Sequence, residues 1–315
     1  MQHFTSLSDV ANPSALLAEA ALFVQHPHQK SHLGKGKSLG LIFFNASLRT
    51  RMSTQRAGQL LGMDVTILNV SQDSWQLEFE DGTVMDGAKA EHIKEAAAVM
   101  GSYCDILGIR TFAGLKNRIA DYAEHVMTAF QQYAGVPIVS LESATRHPLQ
   151  SLTDWLTIHQ QGFTHRPKVV LTWAPHPKAL PQAVGNSFVE WMQAAEVDLT
   201  IAHPYGMDLS PDFVKNTPVM YNQDIAFEGA DVIYAKNWSS FKDYGHVNDK
   251  ERDWQITAEK MAHTNNAKFM HCLPVRRNMV VADQVLDSPQ SLVISQAANR
   301  IPTAQAVLAT ILETL

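Results

Sequence analysis

The 315-residue sequence is poor in cysteine, with only Cys104 and Cys272, far apart and not in metal-ligand spacing. That excludes a disulfide framework and fits a reducing compartment. It has no uninterrupted apolar run long enough to span a bilayer, and Met1 to Asn12 show no charged-then-apolar leader pattern. A cytoplasmic location is therefore expected. Internal repeats and low-complexity segments are missing as well. So is a basic excess: 25 Lys and Arg stand against 31 Asp and Glu, for a net charge of -6. A nucleic-acid surface is not suggested. No Gly-x-Gly-x-x-Gly run follows a predicted strand, which counts against a dinucleotide oxidoreductase. His26, His28 and His32 fall together, but no cysteine or carboxylate is paired with them, so a solvated loop is expected there and no metal.

What is present is an alternation of buried-strand and helical patterns. Predicted strands cover Leu39–Phe44, Val65–Val70, Cys104–Ile109 and Val136–Leu141, then Lys168–Trp173, Asp198–Ala202, Asp231–Ala235, Phe269–Leu273 and Leu292–Ser295. Helical patterns lie between them. This rhythm implies α/β architecture: two doubly wound parallel-sheet domains facing a cleft. The expected boundaries are 1–146 and 147–298, with a closing helix, 299–315, packing back on the first domain. Ser71 to Gly87 reads as a long loop and so as a functional candidate. Its Trp75 is either a packing anchor or a residue carried into the binding site of a neighbouring subunit. A helix is expected from Ala90.

In parallel sheets ligands gather beyond the carboxyl ends of the strands. Ser47-Leu48-Arg49-Thr50-Arg51 sits where the first strand ends and a helix begins, so free N–H groups, two hydroxyls and a guanidinium can meet one anion. Arg110, Glu142 and His147 also follow predicted strands in the first half. His176, Lys236, Cys272 and Arg300 do so in the second. The convergence implies a site for a small anion without naming a reaction.

Ser47-Leu48-Arg49-Thr50-Arg51, His147-Pro148-Leu149-Gln150 and His271-Cys272-Leu273-Pro274, in this order and at this spacing, resemble the transcarbamylases over nearly the whole chain. The resemblance implies that Ser47, the Leu48 N–H, Arg49 and Thr50 hold the phosphate of carbamoyl phosphate. Trp75 would contribute from an adjacent subunit of a homotrimer with shared active sites. Thr50, Arg110 and His147 would polarise the carbamoyl oxygen, and Gln150 would orient the carbamoyl amino group. Backbone carbonyls at Cys272 and Leu273 would aim the attacking amine. Cys272 is not read as a nucleophile: on a strand, its neighbour His271 would point to the other face. No cofactor is implied, and the partners are small-molecule substrates, with neither nucleic acid nor membrane among them.

Within the family, no Ser-Met-Gly loop of the ornithine enzymes occurs, and Trp75 stands where the aspartate enzymes use lysine. Trp75, Glu142, Trp173-Ala174-Pro175-His176-Pro177, Lys236-Asn237-Trp238 and Arg276-Arg277-Asn278 resemble the N-acyl-ornithine branch, in which the proline-rich loop belongs to a backbone knot. Glu142, His176, Lys236, Cys272, Leu273, Arg276 and Arg300 are then the expected acyl-ornithine contacts. The branch contains N-acetyl- and N-succinylornithine carbamoyltransferases of arginine biosynthesis. The acetyl enzymes carry glutamate where this chain has Ala90 and lysine at the position of Val280, whereas the succinyl enzymes carry proline at the first and lack the second. Ala90 matches neither, but it leaves no negative charge to repel a succinyl carboxylate, so succinyl is favoured over acetyl. A non-catalytic anion-binding subunit of the same fold would be expected to have lost Arg110, His147 or Gln150; all are present.

Overall fold

The computed structural model describes residues 1–315, the side chain of Ser71 excepted. The chain divides into two compact units. Met1–Ala113, Ile119–Leu149 and Arg300–Leu315 form the first; Gly114–Arg118 and Gln150–Asn299 form the second.

The strands in chain order are β1 (Ser38–Phe43), β2 (Asp64–Asn69), β3 (Leu77–Glu78), β4 (Glu91–His92), β5 (Ile106–Arg110) and β6 (Ile138–Glu142). They continue with β7 (Lys168–Trp173), β8 (Asp198–Ala202), β9 (Val219–Met220), β10 (Val232–Lys236) and β11 (Lys268–Met270). The first unit holds a four-stranded sheet in the order β2-β1-β5-β6, with all pairs parallel. The second holds five strands, β11-β10-β7-β8-β9, again parallel throughout. β5 and β6 are buried along their whole length, as expected of strands covered on both faces. The helix Pro13–Gln25 and the helix Arg49–Leu60 both pack against the closing helix Arg300–Leu312. A second cluster, including Ile42, Ile93, Leu107, Ile109, Phe130 and Ile138, fills the space under the helices Ile93–Tyr103 and His125–Tyr133.

Those two helices approach closely because Gly101 has no side chain. A Cβ there would lie 1.8 Å from the Ala134 carbonyl oxygen. Gly101→Ala is expected to destabilise the protein by about 1–3 kcal/mol through overpacking, read as a lower denaturation midpoint at unchanged slope.

Three expectations need correction. Leu292–Ser295 is not a strand: Val293–Ala298 is helical. Val293 and Gln296 are buried while Ile294 is 75% exposed, a helical spacing that the short apolar run concealed. Only Ser291 bridges to Phe269. The strand expected over Phe269–Leu273 ends at Met270, so strand alternation does not set the direction of His271. The helix expected from Ala90 starts at Ile93, because Glu91–His92 pairs in parallel with Leu77–Glu78 and His92 Nδ1 caps the Lys94 N–H.

Among the described residues, no helix is long and apolar enough to cross a membrane.

Candidate active site

In the first sheet the winding reverses between β1 and β5, where Phe43 pairs with Arg110. The helix Arg49–Leu60 begins just past the end of β1, and its N-cap residue Leu48 supplies no side-chain acceptor to the first-turn N–H groups. Thr50 is buried in this first turn. Its Oγ1 accepts from Arg110 Nη1 at 3.0 Å and from Arg300 Nη2 at 2.6 Å. Two guanidinium groups, from the ends of a strand and a distant helix, thus meet on one hydroxyl at the helix start. Arg110 Nη1 also lies 3.0 Å from Glu142 Oε2, and its guanidinium stacks 4.5 Å from the centre of the Phe112 ring. His147 Nε2 is 3.6 Å from the same Glu142 oxygen. Arg110, Glu142 and His147 are each less than 9% exposed, so the Arg110–Glu142 ion pair and the His147 ring meet with little water between them.

The backbone beneath is shaped for this. The β5–β6 register shifts at Ile109/Arg110, so that Arg110 faces Glu142 across an irregularity. Glu142 has φ 153°, and the chain leaves the sheet there. The following turn is held by Glu124, whose carboxylate accepts from the Ser143 hydroxyl at 2.6 Å and from the Thr145 N–H at 2.8 Å. This turn delivers His147 to the start of the helix Pro148–His159.

In the second sheet the winding reverses between β7 and β10, where Trp173 pairs with Lys236. Trp173 Nε1 donates to the Trp238 carbonyl at 3.0 Å, and Asn237 Nδ2 donates to the Ala174 carbonyl at 2.7 Å. These bonds pin the two post-strand segments together. Arg276 Nε donates to His176 Nε2 at 3.3 Å. Burial lowers the His176 pKa, and the nearby positive charges of Lys236, Arg276 and Lys178 add to the effect. At neutral pH the imidazole is therefore uncharged. Past β11, His271 Nδ1 accepts from the Leu273 N–H at 2.9 Å, and Leu273 takes a left-handed φ of 57° before a cis peptide to Pro274. With Nδ1 engaged by the Leu273 N–H, His271 does not offer that nitrogen to Cys272 as a base. Gln150 Nε2 donates to Asp154 Oδ1 at 2.7 Å.

Residues 2–160 match the model of the aspartate/ornithine carbamoyltransferase carbamoyl-P binding domain, and residues 181–311 match that of the Asp/Orn binding domain. The chain belongs to the aspartate/ornithine carbamoyltransferase family. It is 52% identical over 317 residues to an N-succinylornithine carbamoyltransferase of Bacteroides thetaiotaomicron, covering 100% of each chain. To an N-acetylornithine carbamoyltransferase of Xanthomonas campestris it is 36% identical over 345 residues, covering 98% of this chain and 97% of the relative. Among solved structures, acetylornithine transcarbamylase complexed with acetylcitrulline superposes with a TM-score of 0.94 at 34% identity, covering 99% of each chain. A point mutant of N-acetyl-L-ornithine transcarbamylase complexed with carbamyl phosphate and N-succinyl-L-norvaline gives 0.93 at 35%, covering 99% of this chain and 100% of that one.

In this carbamoyltransferase the first unit brings Thr50, Arg110, Glu142, His147 and Arg300 together, with Ser47 and Arg49 half-buried at the same helix start. Arg300, expected among the acyl-ornithine contacts, has its guanidinium bonded to Thr50. The second unit brings His176 to Arg276 and sets Lys236 among the charges acting on it. Cys272 and Leu273 lie in the turn after β11. Trp75 is 56% exposed, and its Nε1 donates to Glu91 Oε2 at 2.8 Å. Ala90 is exposed just ahead of β4, its N–H donating to the Gln76 carbonyl at 3.1 Å. Sequence reasoning missed Glu124 and Asp154. Nothing local marks Glu124, whose partners are about twenty residues away. Asp154 stands four residues after Gln150 on a helix, a spacing that brings the two side chains together.

Proposed function

We propose that the chain transfers the carbamoyl group of carbamoyl phosphate to the δ-amine of N2-succinyl-L-ornithine, releasing phosphate and N-succinyl-L-citrulline in arginine biosynthesis. The observation that carries this reading is the meeting of Arg110 and Arg300 on Thr50 at a helix start, in a chain 52% identical over its full length to an N-succinylornithine carbamoyltransferase.

Carbamoyl phosphate is a dianion with a reactive carbonyl. Ser47, the Leu48 N–H, Arg49 and Thr50 hold its phosphate at the positive end of the helix. Arg300, through its bond to Thr50, joins this anion side. Thr50, Arg110 and His147 donate to the carbamoyl oxygen, which gains negative charge as the tetrahedral intermediate forms. The neutral δ-amine attacks the carbonyl carbon, the bond from that carbon to the phosphate oxygen breaks, and the amine proton passes to the departing phosphate. Lys236 and Arg276 take the carboxylates of succinylornithine, with His176 Nε2 accepting from Arg276 and so steadying its guanidinium, while the carbonyls of Cys272 and Leu273 accept the amine hydrogens. Glu142 serves the acyl-ornithine with the carboxylate oxygen that does not face Arg110 and His147. Much of the rate comes from holding two substrates in attacking geometry. Incubation with both substrates is expected to yield a ureido product and phosphate in equal amounts; phosphate without ureido product contradicts the reading.

In the same reading, Trp75 completes the phosphate site of a neighbouring copy in a homotrimer. Its support is the 56% exposure of the ring on an arm where Val84 is 78% exposed. Trp75→Ala and Arg110→Ala proteins, each nearly inactive, should regain activity when mixed and reassembled, because some hybrid sites are then intact. A fully active monomer contradicts this arrangement.

A further inference from the structure

The second unit contains a buried polar chain whose central members, Asp154 and Gln296, the reaction as described does not use. Asp154 is 0% exposed, yet its Oδ1 accepts from two amides, Gln150 Nε2 at 2.7 Å and Gln296 Nε2 at 2.7 Å. The other end of Gln296 accepts from the His271 N–H through Oε1 at 3.0 Å, and His271 Nδ1 accepts from the Leu273 N–H at 2.9 Å. Gln150 and Gln296 are each 1% exposed. The fully buried Tyr234 hydroxyl lies beside Asp154 and Cys272, and burial pushes its pKa well up, so it stays protonated there.

We propose that Asp154 is a positioning residue for carbamoyl transfer: it fixes which end of the Gln150 amide faces the substrate and, through Gln296 and His271, ties that amide to the Cys272–Leu273 turn. The inference rests on the reading of function above. The chemistry is directional. The Asp154 Oδ1 that both amides approach acts as an acceptor, so it selects the NH2 end of each neighbouring glutamine. With Nε2 committed to Asp154, the Oε1 end of the Gln150 amide is the one turned away from that carboxyl, and an oxygen is the group that can accept from a carbamoyl NH2. The opposite flip would present two donors to a donor. The same selection turns Gln296 so that its oxygen meets the His271 N–H. One carboxylate thus orients the side chain assigned to the carbamoyl group and anchors the turn whose carbonyls are assigned to the amine.

The test is a double-mutant cycle between Asp154→Ala and Gln150→Ala, read as kcat and KM for both substrates. Each single variant is expected to lose about 10²-fold in kcat, as a misplacement near 1 Å can do, with KM for carbamoyl phosphate changed less than about threefold because the phosphate contacts are untouched. The double variant is expected to lose no more than about threefold beyond the worse single one, since residues acting as a unit are not additive. Asp154→Asn keeps one acceptor oxygen and the side-chain volume. It serves where the alanine variant does not fold, with a loss of about tenfold and the same non-additivity expected. Losses that multiply in the double variant, or kcat within about threefold of wild type in a folded Asp154→Ala or Asp154→Asn protein, overturn the role of Asp154. Absence of ureido product from the wild type overturns the functional reading and the inference with it, so the two failures are distinguishable.

Discussion

Arg110→Ala is expected to lower kcat/KM by about 10³-fold or more, with the loss chiefly in kcat. Removing one neutral donor to a developing oxyanion costs about 10²–10³-fold, and Arg110 carries a full charge at a site with little water. It lies 3.0 Å from Thr50 Oγ1 and 3.0 Å from Glu142 Oε2, so one guanidinium joins the helix start to the end of β6. The alanine variant also leaves the Glu142 carboxylate without this cation in a buried setting. Breaking such a pair costs about 3–5 kcal/mol, and thermal melts should accompany the kinetics. Arg110→Lys separates the two effects. Lysine keeps a positive charge near Glu142 but lacks the planar fork that reaches two partners at once. That variant is expected to fold near the wild-type midpoint and still lose about 10²-fold in kcat. Near wild-type kinetics in either variant contradict the assignment of Arg110 to the carbamoyl oxygen.

Ala90→Glu is expected to cut kcat/KM for N-succinylornithine at least tenfold or so while changing that for N-acetylornithine less than about threefold. Two unit charges about 4 Å apart repel by about 4 kcal/mol where the effective dielectric is near 20, so even a weakened contact suffices. The acetyl group has no distal carboxylate and escapes the repulsion. The fold removes the competing explanation, that alanine serves here as a helix former. Ala90 lies outside the helix Ile93–Tyr103 and is exposed on the stretch leading into β4. A glutamate there has room and no helix to perturb, so equal losses on both substrates would separate this position from acyl recognition. Thermal stability is expected to stay within about 0.5 kcal/mol of wild type.

Most of the architecture was legible because burial and period agree along the long strands. β1, β7 and β10 read as near-continuous apolar runs, and the parallel sheet follows from their alternation with helices. Thr50, Arg110, Glu142 and His147 were legible as a group because each follows a strand on the same edge. Arg300 follows a stretch that belongs to the second unit, but the chain changes units between Asn299 and Arg300, as the expected packing of the closing helix on the first domain implies, and this brings Arg300 to Thr50. The short strands β3, β4 and β9 were missed since two residues carry no period. Leu292–Ser295 was misread because an apolar run of three fits strand and helix alike. Glu124 and the turn it holds depend on partners distant in sequence, which no local pattern encodes.

The most direct test of the account is side-by-side turnover of N-succinylornithine, N-acetylornithine and ornithine by the wild-type protein with carbamoyl phosphate, reported as kcat/KM. The account predicts N-succinylornithine ahead of N-acetylornithine by at least tenfold or so, the discrimination that one added carboxylate contact supplies, with ornithine far behind both. A preference for N-acetylornithine contradicts the acyl assignment, and no ureido product from any of the three contradicts carbamoyl transfer itself.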